Sequence, residues 1–230
     1  EKYGTRITLD IEGNQREVVD AKDRVVMRYD YDMLGNRIHQ ASMEAGERWM
    51  LSDAVGRPIR AWDSRRLVRR MRYDELRRPT GLFVTENGAE RLAERTVYGE
   101  GQGDAANHRG QIFQRFDGAG VVTNVAYDFK ANLLQHQRDL LPTYELAVNW
   151  LQNPAATDGS FRTSTAFDAL NRPLTITSPD GSVYQPTFDE ANLLDKVDVR
   201  LRGAGVASAF VTNVDYNAKG QREQIDYENG

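Results

Sequence analysis

The 230-residue chain has no cysteine, so neither a disulfide nor a zinc–thiolate cluster can hold it together. That absence does not fix a compartment, but it suits a secreted bacterial protein that avoids thiol oxidation. No apolar run approaches the roughly 18 residues a membrane-spanning helix requires, and no signal peptide opens the sequence at Glu1. Histidine is scarce: His39, His108 and His136 are scattered, and none stands at the HxH or HxxxH spacing of a metal site. They build no local nucleophilic triad either. No Asn-x-Ser/Thr acceptor occurs, which argues against a glycosylated ectodomain. Neither charge sign dominates. The formal net charge is −4 and the pI about 5.5, which is not the balance of a nucleic-acid-binding domain.

What the chain does contain is a recurring phrase: an aromatic residue, Asp, two variable residues, Gly or Asn, then often Arg. It reads Tyr31-Asp32-Met33-Leu34-Gly35-Asn36-Arg37, then Ser52-Asp53-Ala54-Val55-Gly56-Arg57, then Tyr73-Asp74-Glu75-Leu76-Arg77-Arg78. These copies start at 31, 52 and 73, a step of 21 residues taken twice. Further copies begin Phe116-Asp117, Tyr127-Asp128, Phe167-Asp168, Phe188-Asp189 and Tyr216-Asn217, the last reaching Gly220. Weaker phrases stand at Asp10 and Asp20. A fixed period of this length marks one supersecondary unit used many times.

The phrase predicts strand, turn, strand. Before the first copy, Val25, Met27, Tyr29 and Tyr31 alternate with Arg24, Val26, Arg28 and Asp30, the period-2 pattern of a strand. The Asp carboxylate suits an Asx-turn, accepting from a backbone N–H two residues on. The Gly or Asn three residues later tolerates the positive φ that a tight reversal needs. The aromatic closes the strand and anchors its buried side, where a fully buried ring would contribute roughly 3–5 kcal/mol. Glu86-Asn87-Gly88 is a separate hairpin signal. The expected fold is therefore all-β: antiparallel hairpins forming a continuous spiralling sheet, with at most a short helix near 143–152. That helix rests on Leu146, Trp150 and Leu151 at helical spacing, with Thr143 as cap and Pro154 as stop.

Length alone allows two domains; the repeat predicts a single array over 1–230, cut at both ends from a longer one. A loop insertion is expected at 99–110 and an irregular or helical one at 139–160. No catalytic, cofactor-binding or metal-binding residue emerges. The glycines at 99, 101 and 103 lack the strand and helix of a dinucleotide fingerprint. Most Asp residues sit at the same turn position, a structural task repeated in each copy. The segment Arg57 to Arg78 holds nine arginines against Asp63, Asp74 and Glu75. Arg70 and Arg72 on alternate positions make it a charged sheet face, disposed to meet a neighbouring acidic segment. Trp49, Trp62 and Trp150 read as spread-out anchors. The residues that carry this reading are Tyr31, Asp32, Gly35, Asp53, Gly56, Tyr73, Asp74, Phe116, Asp117, Tyr127, Asp128, Phe167, Asp168, Phe188, Asp189, Tyr216 and Gly220.

Tyr31-Asp32-x-x-Gly35-Asn36-Arg37 and Phe167-Asp168-x-x-Asn171-Arg172-Pro173, at the 21-residue step, resemble the YD-repeat or RHS-repeat family. Val211-Thr212-Asn213-Val214-Asp215-Tyr216 and Arg95-Thr96-Val97-Tyr98-Gly99-Glu100 are similar to RHS portions of insecticidal toxin-complex proteins. The resemblance implies a β-sheet shell holding a toxic polypeptide inside, secreted from a bacterium. Its partners would be the rest of the shell, the enclosed polypeptide and other toxin-complex subunits. It implies no cofactor, no enzymatic activity and no membrane insertion by this segment. Family autoproteolysis relies on an Asp-Pro-rich motif that is missing here, so no catalytic residue carries over. Ser52 for the aromatic, Arg77 for Gly and Asn217 for Asp depart from the pattern and imply local variation in turn type. The alternative is a teneurin- or adhesin-like module that binds carbohydrate or protein at a cell surface.

Overall fold

The structure, a computed structural model, describes residues 3–229. The termini Glu1 and Gly230, read above as cuts through an array, lie outside the described residues. The strands are β1 (Arg6–Leu9), β2 (Gln15–Val19), β3 (Val25–Tyr31), β4 (Arg37–Ser42), β5 (Gly46–Ser52) and β6 (Pro58–Asp63). They continue as β7 (Val68–Tyr73), β8 (Pro79–Glu86), β9 (Ala89–Tyr98), β10 (Ile112–Asp117), β11 (Gly120–Tyr127) and β12 (Leu133–Leu140). The last six are β13 (Ser160–Phe167), β14 (Pro173–Thr177), β15 (Val183–Phe188), β16 (Leu194–Arg200), β17 (Ser208–Tyr216) and β18 (Arg222–Tyr227). All are strands of one antiparallel sheet in which sequence neighbours pair. Among the described residues helix is confined to three single 3-10 turns, at Gly99–Gln102, Trp150–Gln152 and Leu201–Gly203. The chain is all-β, as the repeat predicts.

Two compact units are present. One runs to Arg95 and includes Leu146–Pro154; the other comprises Thr96–Glu145 and the residues from Ala155 on. In each, a meander places alternate turns on opposite rims of the sheet. In the first unit one rim carries the turns after Leu9, Tyr31, Ser52 and Tyr73, and the other those after Val19, Ser42, Asp63 and Glu86. Asn87 and Gly88 both have positive φ (52° and 82°), the signature of a type I′ turn, where the sequence predicts a hairpin.

Register in the phrase-bearing hairpins has a common irregularity. In β3–β4, Asp30 faces His39 but Tyr31 faces Arg37, which leaves Ile38 as an extra residue. The same skip falls at Ile59, Thr80, Leu174, Asp195 and Glu223, opposite Ser52, Tyr73, Phe167, Phe188 and Tyr216. Each is a β-bulge on the second strand, and a bulge bends its strand and increases local twist. The repeat therefore encodes curvature as well as reversal.

The core is thin. Among the described residues the buried apolar side chains are Val19, Phe83, Val84, Leu92, Tyr127, Leu141, Trp150, Val199 and Val214. Most strand residues are half-buried on both faces.

The segment 141–154 departs from its helical spacing. Asn149, not Thr143, caps the single 3-10 turn, and its Oδ1 accepts from Leu151 N (3.1 Å) and from Leu92 N of β9 (3.1 Å). Arg91 also reaches the Val148 carbonyl at 3.2 Å. Trp150, 2 % exposed, is buried here. The segment thus caps backbone along β9, and satisfying a strand's amide outweighs a weak helical preference.

Candidate functional site

The repeated element is the turn itself. Asp32 N donates to Asn36 O (2.9 Å) and Gly35 N to Asp32 O (3.1 Å). The Asp32 carboxylate accepts from Leu34 N and Asn36 N, both at 2.9 Å, so it bridges two amides rather than the one an Asx-turn predicts. Residue i+3 has positive φ: 78° at Gly35, 81° at Gly56 and 70° at Gly220. The same backbone pair closes the turns at Asp10, Asp20, Asp53, Asp63, Asp74, Asp128, Asp168, Asp189 and Asn217.

The departures keep this geometry. Arg77 takes φ 58° in the glycine's place, and Ala131, Asn171 and Asn192 take 66°, 64° and 69°. Asn217 Oδ1 accepts from Lys219 N (2.9 Å) and Gln221 N (3.0 Å) as the carboxylates do. The expectation of varied turn types is therefore corrected: an amide oxygen supplies the same two acceptances. The true exception is Phe116-Asp117. It forms a two-residue hairpin, with Asp117 opposite Gly120 and the Asp117 carboxylate paired to Arg138 at 2.6 Å. A Cβ on Gly120 would be driven into the Asp139 carbonyl. One turn went unrecognised in the sequence. Asp63 carries it, preceded by Trp62 and closed by Arg66 at φ 67°.

Six of these carboxylates, at Asp20, Asp32, Asp53, Asp63, Asp128 and Asp168, are held ionised by their neighbours. The Arg24 side chain, then its backbone amide, hold Asp20 down at about 2. The Asn36 side chain lowers Asp32, the Arg57 amide Asp53, the Leu67 amide Asp63, the Asn132 side chain Asp128 and the Arg172 amide Asp168. An acid held ionised by backbone donors serves as a fixed acceptor; it is poorly suited to passing protons near neutrality.

The aromatic has a task the sequence did not disclose. Tyr31 Oη donates to Gln15 O (3.0 Å), Tyr73 to Pro58 O (2.7 Å), Tyr127 to Ile112 O (2.8 Å) and Tyr216 to Leu194 O (2.8 Å). Each acceptor is the first residue of the preceding strand, and Gln15, Pro58 and Leu194 each sit at the bulge of the preceding phrase hairpin. The phenol thus latches one hairpin to the next. Phe167 and Phe188 occupy equivalent places without a hydroxyl. Of the rings named from sequence, Tyr127 alone is buried (7 % exposed); Tyr31, Tyr73, Phe116, Phe167, Phe188 and Tyr216 are half-buried. The full-burial figure does not apply to those six.

Adjacent turns on a rim are also tied. Arg57 donates to Arg77 O (2.7 Å), and Arg77 pairs with Asp53 (3.1 Å). Lys130 reaches Ala169 O (2.6 Å), Asn132 reaches Asn171 (2.9 Å), and Arg172 reaches Asn192 (3.0 Å).

The sheet face of the first unit brings together side chains distant in sequence. His39, Trp49 and Trp62 stand opposite one another on β4, β5 and β6. They stack at 5.1 Å and 6.4 Å between centroids. His39 Nδ1 lies 2.8 Å from Asp30. Arg70, paired with Glu90 at 2.9 Å, lies 4.0 Å over the Phe83 ring. In the second unit His108 is buried against Phe113 and Tyr127, its Nε2 2.8 Å from Asn124 O, and so pins the glycine-rich loop. Among the described residues no group of three or more His, Asp or Glu side chains is placed to hold a metal.

No family model matches the chain. Among curated proteins it is 26 % identical to toxin subunit YenC2 of Yersinia entomophaga over 97 % of its own length. It spans a quarter of that relative's length. Among solved structures, the TcdB2-TccC3 crystal structure matches 98 % of the chain with a TM-score of 0.84 at 24 % identity, and 12 % of that chain is covered. The Photorhabdus luminescens Tc holotoxin pore matches 97 % of the chain at the same TM-score and identity, covering 11 % of its counterpart. The repeat, the all-β fold and these likenesses converge: the chain is RHS-like, similar to proteins of the bacterial toxin complexes.

Proposed function

We propose that this chain is a length of wall in an RHS shell that encloses a toxic polypeptide within a secreted bacterial toxin, and that it performs no catalysis itself. The observation that carries this reading is the repeated coupling of turn, bulge and latch. Apart from the Asp117 hairpin, each phrase hairpin reverses the chain at an Asp (an Asn at 217), bends it at a bulge and, where Tyr is present, bonds to the hairpin before it. Such a unit adds stability from neighbour to neighbour, as repeat arrays do. The bulge recurs at the same place in the unit, and a bend repeated in this way is what a wall around a cavity requires. The strand residues, mostly half-buried along both faces of the sheet, fit a wall with two open faces. On this reading the whole chain is one array, with 99–110 and 139–160 as insertions. Its partners are the remainder of the shell, the enclosed polypeptide and other toxin-complex subunits, and it acts outside the bacterial cell.

Limited proteolysis of the natural full-length protein tests the reading. The enclosed polypeptide is expected to survive protease while the wall is intact, and to be cut once Asp53→Ala and Asp74→Ala loosen two turns. Cleavage of the polypeptide at equal rates in both proteins would contradict it. Surface recognition of carbohydrate or protein has one observation in its favour: Trp62 is 38 % exposed and stacked on Trp49 beside Arg60. A glycan array and a pull-down decide this, since binding abolished by Trp62→Ala would favour recognition over walling.

A further inference from the structure

Six consecutive residues between β12 and β13, Pro142-Thr143-Tyr144-Glu145-Leu146-Ala147, are exposed. Among the described residues they neither donate nor accept a hydrogen bond, and Glu145 has no ion-pair partner. None of the six serves the turn, the bulge or the latch. Their flanks are the opposite. Leu140 N donates to Gly159 O (2.9 Å) and Asp158 N to Leu140 O (3.0 Å), which closes the base of the loop. Leu141 is buried and donates to Ala119 O at 3.0 Å. On the far side come the Val148 carbonyl held by Arg91, the Asn149 cap on Leu92 of β9, and the buried Trp150. An exposed, unbonded run is thus fixed at both ends, the arrangement at which folded chains are nicked.

We infer that the Tyr144-Glu145 peptide bond is a processing site, hydrolysed in the folded protein by an endoprotease of the chymotrypsin kind, whose specificity slot accepts an aromatic side chain. Water adds across the bond, leaving a carboxylate on Tyr144 and an ammonium group on Glu145. Three observations select this bond. A protease draws extended chain on both sides of the scissile bond into its cleft, so residues already bonded must first open. Centred on Tyr144-Glu145, three unbonded residues lie on each side. A cut after Leu146 would draw in Val148 and Asn149, which are bonded to β9. Tyr144 itself is 88 % exposed and free to enter an apolar slot. Phe129 is as exposed, at 86 %, but sits in a closed turn where Asp128 holds Lys130 N and Asn132 N. The loop base also fixes the outcome. β12 and β13 stay paired from Gln135 with Ser164 through Asp139 with Ser160, so the cut leaves both pieces in place whether or not the sheet encloses anything.

The test is brief digestion of the natural full-length protein with chymotrypsin, the new chain ends being mapped by mass spectrometry. Within these 230 residues the first new ends are expected at Tyr144 and Glu145. Tyr144→Ser should slow that cut at least about tenfold, as loss of the side chain that fills the slot demands, and Phe129→Ser should leave its rate unchanged. Where Tyr144→Ser fails to assemble, Tyr144→Arg should transfer the cut from chymotrypsin to trypsin, whose slot is acidic. First cleavage at Phe129, or at any other bond of the 230 residues while Tyr144-Glu145 stays whole, overturns the inference. So does resistance of that bond in the native protein when it is cut promptly in urea, since the segment would then be covered. The two pieces should co-elute on size exclusion in native buffer and part only in denaturant. Parting in native buffer would refute the closed base.

Discussion

Removing the hydroxyl of Tyr127 should cost more than removing that of any other latch. Its phenol donates to Ile112 O at 2.8 Å and accepts from Asn124 Nδ2 at 2.6 Å, on a ring 7 % exposed. In Tyr127→Phe both bonds are lost, and water has little access to replace them. Ile112 O keeps the Asn124 amide as a donor at 2.9 Å, so no carbonyl is orphaned. The expected loss is about 1–2 kcal/mol, one to two net hydrogen bonds. Tyr73→Phe removes a single bond at an exposed site, where solvent compensates, and should cost no more than about 0.5 kcal/mol. Urea unfolding of the 230-residue chain measures both, with an unchanged m-value showing that the unfolded state is unaltered. A loss of 1.5 kcal/mol corresponds to a melting shift of about 3–6 °C at this length. If the array melts in stages, amide exchange along β10 and β11 reports the same difference locally. Tyr127→Phe within 0.3 kcal/mol of wild type, or a costlier Tyr73→Phe, would refute the latch.

Ala131→Gly should raise stability by roughly 0.5–1 kcal/mol, because Ala131 holds φ 66° at a position glycine adopts without strain; thermal melting reads the gain. Gly120→Ala should lower it by at least about 2 kcal/mol, since a Cβ there meets the Asp139 carbonyl at φ 145°; failure to destabilise would show that β11 and β12 can part without cost. Acidification should weaken the turns. The carboxylates of Asp20, Asp32, Asp53, Asp63, Asp128 and Asp168 titrate lower folded than unfolded, so their contribution is whole above the ordinary value of 3.8 and is lost as pH falls through the folded values, reaching about 2 at Asp20. Unfolding midpoints measured between pH 6 and 2 should therefore drop only below about pH 4, and Asp20→Asn should flatten the lower end of that fall.

Much of this element was legible because its chemistry is local. Asp32, Gly35 and their counterparts need no partner beyond four residues, so the phrase alone specifies the reversal. The bulge was not legible, because it is a mismatch between two strands and neither strand states it. That one-residue offset also sets Trp49 opposite Trp62, which appeared unrelated in sequence. The acceptors of Tyr31 and Tyr73 are main-chain carbonyls on another hairpin and leave no trace in side-chain pattern. The Asp63 turn was within reach, lying half a step from its neighbours after an aromatic; its arginines read as a charge run instead. The helical spacing of Leu146, Trp150 and Leu151 misled because the β9 amide claimed Asn149. His108 looked isolated only because Asn124 and Phe113 come to it through the sheet.

The most direct test is the density map of the natural full-length protein by electron cryo-microscopy. These strands should lie in the wall of a hollow shell, phrase turns along its courses, with additional polypeptide density inside. A map in which the same strands form a free-standing sheet, or pack into a solid body that encloses nothing, would contradict the account.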